Sequence, residues 1–193
     1  MIAGVILAGG AGTRIGGNKA LAPFRGGTLI DAVIARVAGQ VGTLALSVPM
    51  EGADPYRTHF EGPLLLDTLA DTGPLAGIVA GLEWARGTAS WLASFPCDTP
   101  FLPRDLVAQL TREARDAPVA ARHAQRLHGV CAVWPISCLE ELRTGVEQGR
   151  LRSLRGALDH LGGTVCEVTA GPDAFFNINT REDLARAEAL AAL

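Results

Sequence analysis

The residues best suited to chemistry lie near the start of the chain. Val5-Ile6-Leu7-Ala8-Gly9-Gly10-Ala11-Gly12-Thr13-Arg14-Ile15-Gly16-Gly17-Asn18-Lys19 passes from a short apolar run into a segment with five glycines and two cations. Glycine has no Cβ, so its backbone can take φ > 0 and bring peptide N–H groups close to a bound group. N–H groups arranged in that way form a concavity that attracts phosphate oxygens. Arg14 adds a planar fork of donors and Lys19 a point charge. A phosphate-bearing ligand is expected here. A plain surface loop after a strand would have no need of two cations.

Two familiar phosphate loops do not fit the spacing. A Walker A loop needs Gly-x-x-x-x-Gly-Lys-Ser/Thr, yet Gly17 is followed by Asn18, Lys19 comes one place late and Ala20 has no hydroxyl. The dinucleotide fingerprint Gly-x-Gly-x-x-Gly fails at Ile15, which argues against a nicotinamide oxidoreductase.

Two carboxylates stand out further on. Asp98 lies in Phe95-Pro96-Cys97-Asp98-Thr99-Pro100-Phe101-Leu102-Pro103, held between prolines after an apolar run. A hard oxygen donor on a stiff turn suits Mg²⁺, which takes one or two carboxylates together with substrate phosphates. The alternative is a cap for the helix that starts near Pro103. Asp67 opens Asp67-Thr68-Leu69-Ala70-Asp71-Thr72-Gly73-Pro74-Leu75-Ala76-Gly77, whose small residues let a helix begin close to a sheet and present N–H groups to a ligand. An ordinary turn would serve for Asp71. Near the C-terminus, alternation in Asn177-Ile178-Asn179 puts two amides on one face, where they can donate and accept toward a polar ligand.

These groups need strands and helices to bring them together. Strands are expected at Ala3 to Ala8, Thr43 to Val48, Leu64 to Leu66, Trp91 to Phe95, near Val119, at Gly129 to Trp134 and at Thr164 to Val168. Helices are expected from the Thr28-x-x-Asp31 capping box to about Val37, over Pro74 to Trp84, Arg104 to Arg115, Leu139 to Val146 and Leu151 to Leu161, and after Thr180-x-x-Asp183. Ala121 to His128 and Gly145 to Arg150 read as irregular loops around a second substrate. The alternation of strands and helices implies an α/β fold: three layers, with a mostly parallel, doubly wound sheet. In such sheets ligands bind outside the carboxyl ends of the strands. The glycine segment, Asp67 and Asp98 each follow a strand, so all three should meet at one edge.

The bulk properties agree. The 193 residues, 48% apolar and 19% charged, suit one globular domain. A net charge of −3 argues against nucleic-acid binding. No apolar run reaches the ~18 residues of a membrane span, and no basic leader precedes the first strand. Cys97, Cys131, Cys138 and Cys166 lack Cys-x-x-Cys spacing and read as reduced, buried thiols of a cytoplasmic protein.

The glycine segment and Pro96-Cys97-Asp98-Thr99-Pro100 resemble the motifs of nucleotidyltransferases that join a nucleoside triphosphate to a phosphorylated acceptor, most closely those of the molybdenum cofactor guanylyltransferases. That family's loop runs Leu-Ala-Gly-Gly-x-x-x-Arg-Met-Gly-Gly-x-Asp-Lys. Here Ile15 replaces Met, the segment before Lys19 is one residue shorter, and Asn18 stands in the Asp place. Phe176-Asn177-Ile178-Asn179-Thr180-Arg181-Glu182-Asp183-Leu184 is similar to the family's Asn-x-Asn-Thr-Pro-Glu-Asp-Leu, with Arg181 in place of Pro.

The resemblance implies a Rossmann-like nucleotidyltransferase fold over residues 1–193, with a nucleotide-binding half (about 1–103) and an acceptor-binding half (about 104–193). It implies transfer of GMP from GTP to molybdopterin carrying molybdenum, with pyrophosphate released. Arg14, Lys19 and Asp98 would be catalytic, with Mg²⁺ on Asp98. Leu7, Ala8, Gly9, Gly10, Lys19, Ser47, Asp67 and Asp98 would bind the nucleotide. His128, Asn177 and Asn179 would meet the acceptor, although Gly129 replaces the Pro that often follows the family's histidine. Delivery or chaperone proteins for the cofactor are partners by resemblance; nucleic acid and membrane are not. A cytidylyltransferase on the same pterin, a sugar-phosphate nucleotidyltransferase and a GTP-binding regulatory protein remain as alternatives.

Overall fold

The computed structural model describes residues 1–9, 18–49, 53–66 and 72–191. Gly10, Arg14 and Asp67, and with them the interior of the glycine segment, lie outside these residues. The apolar run at the start is β1 (Ile2–Leu7), with its four middle residues buried. A 3₁₀ turn at Lys19–Leu21 leads to a small hairpin, β2 (Pro23–Phe24) and β3 (Gly27–Thr28). Thr28 then opens α1 (Leu29–Val37) with the expected capping box: its hydroxyl accepts from the Asp31 N–H while the Asp31 carboxylate accepts from the Thr28 N–H. Next come β4 (Thr43–Val48), a 3₁₀ turn at Asp54–Thr58, β5 (Leu64–Leu66), α2 (Pro74–Ala85), β6 (Trp91–Pro96) and α3 (Leu106–Glu113). The second half holds β7 (Val119–His123), β8 (Arg126–Pro135), α4 (Leu139–Glu147), α5 (Leu154–His160), β9 (Thr164–Glu167) and α6 (Arg181–Ala191).

Seven strands form one sheet in the order β5-β4-β1-β6-β8-β7-β9. The pairs β1–β4, β1–β6, β4–β5 and β7–β9 are parallel, and β8 runs antiparallel to both β6 and β7. Side chains alternate across each strand, which divides the core in two. Ile6, Leu46, Phe95 and Val133 face α1 and α3 on one side. Val5, Leu92 and Trp134 face α2, α4 and α5 on the other. This is the three-layer, mostly parallel arrangement expected from the sequence. Strand order reverses between β1 and β6, so the crevice beyond their carboxyl ends is where such a sheet binds ligands.

Two expectations need correction. Residues 121–128 are not an irregular loop: β7 and β8 continue as a hairpin, joined by Ala124 and Gln125 at φ of 47° and 63°. Both central residues are left-handed, as a two-residue hairpin turn of right-handed twist requires, but they lack the Asn-Gly signal that marks such turns. Of residues 145–150, the first three are the last residues of α4 and the other three form a turn and a bend after it. Gly145 sits inside α4, where a Cβ would come within 2.5 Å of Leu151 Cδ1, so this glycine serves close packing rather than a break.

The start of α2 lies tight against the strand ends. Gly73, at φ +58°, turns the chain into the helix, and Pro74 takes the first position. One turn later a Cβ on Gly77 would fall 2.5 Å from Ser47 Oγ and 2.8 Å from Leu7 Cδ2. Gly77→Ala is therefore expected to push α2 off β1 and β4, at a cost of about 1–3 kcal/mol. Thermal unfolding should show a midpoint several degrees lower; an unchanged midpoint would mean that the two side chains yield freely.

Candidate active site

The crevice edge gathers residues from four places in the sequence. β1 ends at Leu7, which is partly buried against the α2 layer, and Ala8 follows with its N–H bonded to the Ser47 carbonyl at 2.8 Å. Ser47 is 1% exposed on β4, beneath Gly77, and Gly9 is exposed. Lys19 enters on the 3₁₀ turn, whose Ala20 is anchored in the α1 side of the core. Asp98 stands two residues beyond β6, after the buried Cys97. It does not cap α3, because the cap position of that helix is Asp105.

The C-terminal segment is laid alongside Asp98 by one backbone bond, from Ile178 N–H to the Asp98 carbonyl at 3.0 Å. Ile178 is fully buried with Phe24, Leu29 and Ala187, and its neighbours therefore point the other way. A second capping box fixes the segment's end. Thr180 Oγ1 accepts from the Asp183 N–H, and the Asp183 carboxylate accepts from the Asn179 and Thr180 N–H groups at 2.9 Å. Those bonds, with the Asn179 backbone first, hold the Asp183 carboxyl below its usual range.

All of this converges on one ammonium. Lys19 Nζ donates to Asp98 Oδ2, to Asn179 Oδ1 at 2.7 Å and to Asn177 Oδ1 at 3.2 Å, so its three donors are fully used. The Lys19 and Asp98 side chains are only 12% and 14% exposed. Thr99 Oγ1 donates to the other carboxylate oxygen at 3.1 Å. The structure thus brings Lys19, Asp98, Asn177 and Asn179 into one polar cluster beside Leu7 and Ala8. An ammonium held by oxygen acceptors can exchange partners when a polyanion arrives. Cys97 and Cys131 are held as protonated thiols: burial, reinforced by the Asp98 charge, pushes Cys97 up to about 12, and burial raises Cys131 as well.

His128 lies apart from that cluster, near the start of β8. Its ring stacks on Phe175 at 4.3 Å, and His123 stacks on the same ring at 5.3 Å. Burial, then the charges of Arg126 and His123, pull His128 down to about 4, so its imidazole is neutral at pH 7. The unfolded chain binds this proton near 6.5 and the folded chain does not, so stability is complete above that value and falls as pH drops from 6.5 to 4. The loss should be about 1–2 kcal/mol, less than the whole shift implies because solvent screens the open part of the ring. His128→Gln should flatten this part of the curve of unfolding midpoint against pH. An unchanged slope would assign it to other groups.

Sequence reasoning missed Tyr56 and Phe175. Tyr56 is the only tyrosine in the chain and is fully buried; its hydroxyl lies 3.0 Å from the Ala8 carbonyl and 2.9 Å from Asn18 Oδ1. The signal available was that a buried phenol needs a polar partner.

Comparison with known proteins agrees with this geometry. The family described as MobA-like NTP transferase domain matches residues 4–161. A molybdenum cofactor guanylyltransferase of Mesorhizobium japonicum is 40% identical over 98% of this chain and 95% of its own length. One from Rhodobacter capsulatus is 42% identical over 97% and 95%. Among solved structures, molybdopterin-guanine dinucleotide biosynthesis protein A from Archaeoglobus fulgidus superposes with a TM-score of 0.82 at 25% identity, covering 98% of each chain. The chain belongs to the MobA-like NTP transferase family and is a nucleotidyltransferase.

Proposed function

We propose that the protein transfers GMP from GTP to the terminal phosphate of molybdopterin carrying molybdenum, forming a guanine dinucleotide cofactor and releasing pyrophosphate. The observation that carries this reading is the Lys19–Asp98–Asn177–Asn179 cluster at the strand-order reversal, whose lysine follows the glycine-rich stretch of the sequence. Full-length relatives at 40–42% identity that bear the guanylyltransferase name give it the substrates.

The reaction asks little of acid–base chemistry. A phosphate monoester has its second pKa near ~6 and is already a nucleophile at neutral pH, so positioning and charge stabilisation dominate. In this reading Leu7, Ala8, Gly9, Gly10 and Asp67 hold the nucleotide, and Ser47 holds Ala8 in place from beneath. Lys19 leaves the oxygens of Asp98 and the two asparagines and, with Arg14, neutralises the departing pyrophosphate. The acceptor lies on the side of residues 104–193, where neutral His128, on the Phe175 ring, offers a flat apolar face with a hydrogen-bonding edge. Asn177 and Asn179, freed of Lys19, turn their amides to polar groups of the acceptor.

The residues fit a magnesium ion. Asp98 supplies a hard, nearly buried carboxylate, and among the described residues no cluster of three or more His, Cys, Asp or Glu offers a site for a protein-encased metal. One carboxylate with room for phosphates and water is the habit of Mg²⁺. Asp98 would hold it, and the ion when bound supplies positive charge to the triphosphate.

Thermal unfolding with GTP, CTP, ATP and UTP, with and without Mg²⁺, followed by a transfer assay, tests the proposal. GTP at about a hundred times its dissociation constant adds ~2.7 kcal/mol, several degrees in midpoint. A shift with CTP in place of GTP moves the reaction to cytidylyl transfer; binding of GTP without product formation makes the protein a regulator.

A further inference from the structure

We propose that Tyr56 and Asn18 form a latch that positions the phosphate-binding segment by joining its two ends, making Tyr56 a positioning residue for the nucleotide. The segment leaves β1 at Ala8 and returns at Asn18, immediately before Lys19. The Tyr56 hydroxyl touches both ends, at the Ala8 carbonyl (3.0 Å) and the Asn18 side-chain amide (2.9 Å). A phenol has one proton. When it donates to Ala8, its oxygen accepts from the Asn18 NH₂, since the two ends of an amide exchange by a half-turn. The result is a directed chain from Asn18 through Tyr56 to Ala8.

Each member of the latch is held by an independent contact. Ala8 is fixed by its N–H to the Ser47 carbonyl, and the residue after Asn18 carries the ammonium seated on Asp98. Tyr56 sits on the Asp54–Thr58 turn, with Phe60 N–H bonded to its carbonyl at 3.0 Å. That turn is tied to α1 by His59 Nδ1, 3.1 Å from both Asp31 oxygens. The chemistry of Asn18 matters. An acid at this position, as in the resembling loop, can only accept, and would draw the phenol proton away from Ala8. An amide both gives and accepts, so Asn18 can bond the phenol without drawing its proton from the Ala8 carbonyl. Packing alone would be served by phenylalanine.

The inference rests on the nucleotidyl-transfer reading, and the test separates the two. Tyr56→Phe, Asn18→Ala and the double variant are compared for GTP kinetics, acceptor kinetics and ligand-free unfolding. Each single change should lower kcat/KM for GTP about tenfold, and the double variant about tenfold rather than a hundredfold, because either change interrupts the same Asn18–Tyr56–Ala8 chain. The KM for the acceptor should not move. Asn18 is exposed, so Asn18→Ala leaves the core intact and tests the latch even if Tyr56→Phe folds poorly. Unchanged kcat/KM in either single variant, or effects that multiply in the double, would overturn the latch while wild-type transfer upholds the reaction. A wild type that makes no product overturns both.

Discussion

Asp98→Ala is expected to cut turnover about 10²–10³-fold and leave the protein folded. The argument starts from position. Asp98 is placed by the proline-flanked turn after β6 and by the Ile178 N–H on its carbonyl, both of which are backbone features that survive the loss of the carboxylate. Its side chain is bonded to Lys19, which keeps Asn177 and Asn179 on truncation, and to Thr99, which is 3% exposed and loses one hydrogen bond at a cost of about 1–3 kcal/mol. Loss of one group that stabilises developing charge commonly costs ~3–4 kcal/mol of activation energy, which is the stated fold-change. Steady-state kinetics at saturating GTP, beside an unfolding curve without ligand, measures both halves. Near-normal turnover with Mg²⁺ as the only metal would remove Asp98 from the reaction.

How much of this could be read from the sequence depends on the range of the interactions. Elements specified by neighbours were legible: the capping boxes of Thr28 with Asp31 and Thr180 with Asp183, the apolar strands that alternate between the two core layers, and Pro74 at the start of α2. The site was legible where residue types at short spacing imply chemistry, as in Asn177-Ile178-Asn179, whose amides do share a face because Ile178 is pulled into the core. Contacts made between distant parts of the chain were not. Tyr56 meets Ala8 and Asn18 across 48 and 38 residues, and nothing near position 56 announces it. Ala124 and Gln125 take left-handed conformations that β7 and β8 impose on them through tertiary pairing, against their own preference. The 145–150 segment read as an irregular loop because the residue that packs on Gly145, Leu151, lies beyond the end of α4.

Lys19→Met is the second large effect, and its sign on binding separates it from Asp98→Ala. Methionine keeps an unbranched stem and removes the charge together with the three N–H donors to Asp98, Asn177 and Asn179. In the free protein this leaves the Asp98 carboxylate, 14% exposed, without its cation, at a cost of about 2–3 kcal/mol, somewhat below that of a fully buried pair. Toward GTP the cost is larger. The wild-type pair is neutral as a unit; without Lys19 the crevice presents a bare negative charge to a triphosphate that carries several of its own. A charge-assisted bond lost and a repulsion gained should together lower kcat/KM for GTP about 10²–10³-fold. With a chelator present the two variants should diverge. Lys19→Met binds GTP more weakly than wild type, because Asp98 faces the phosphates uncompensated. Asp98→Ala binds it as well as or better than wild type, because the ammonium is released from its carboxylate partner. Equilibrium dialysis of GTP with and without chelator reads this directly. If both variants lost affinity alike in the chelator, Lys19 would be a strut for Asp98 and the asparagines, and the charge on the leaving pyrophosphate would have to be met by other residues.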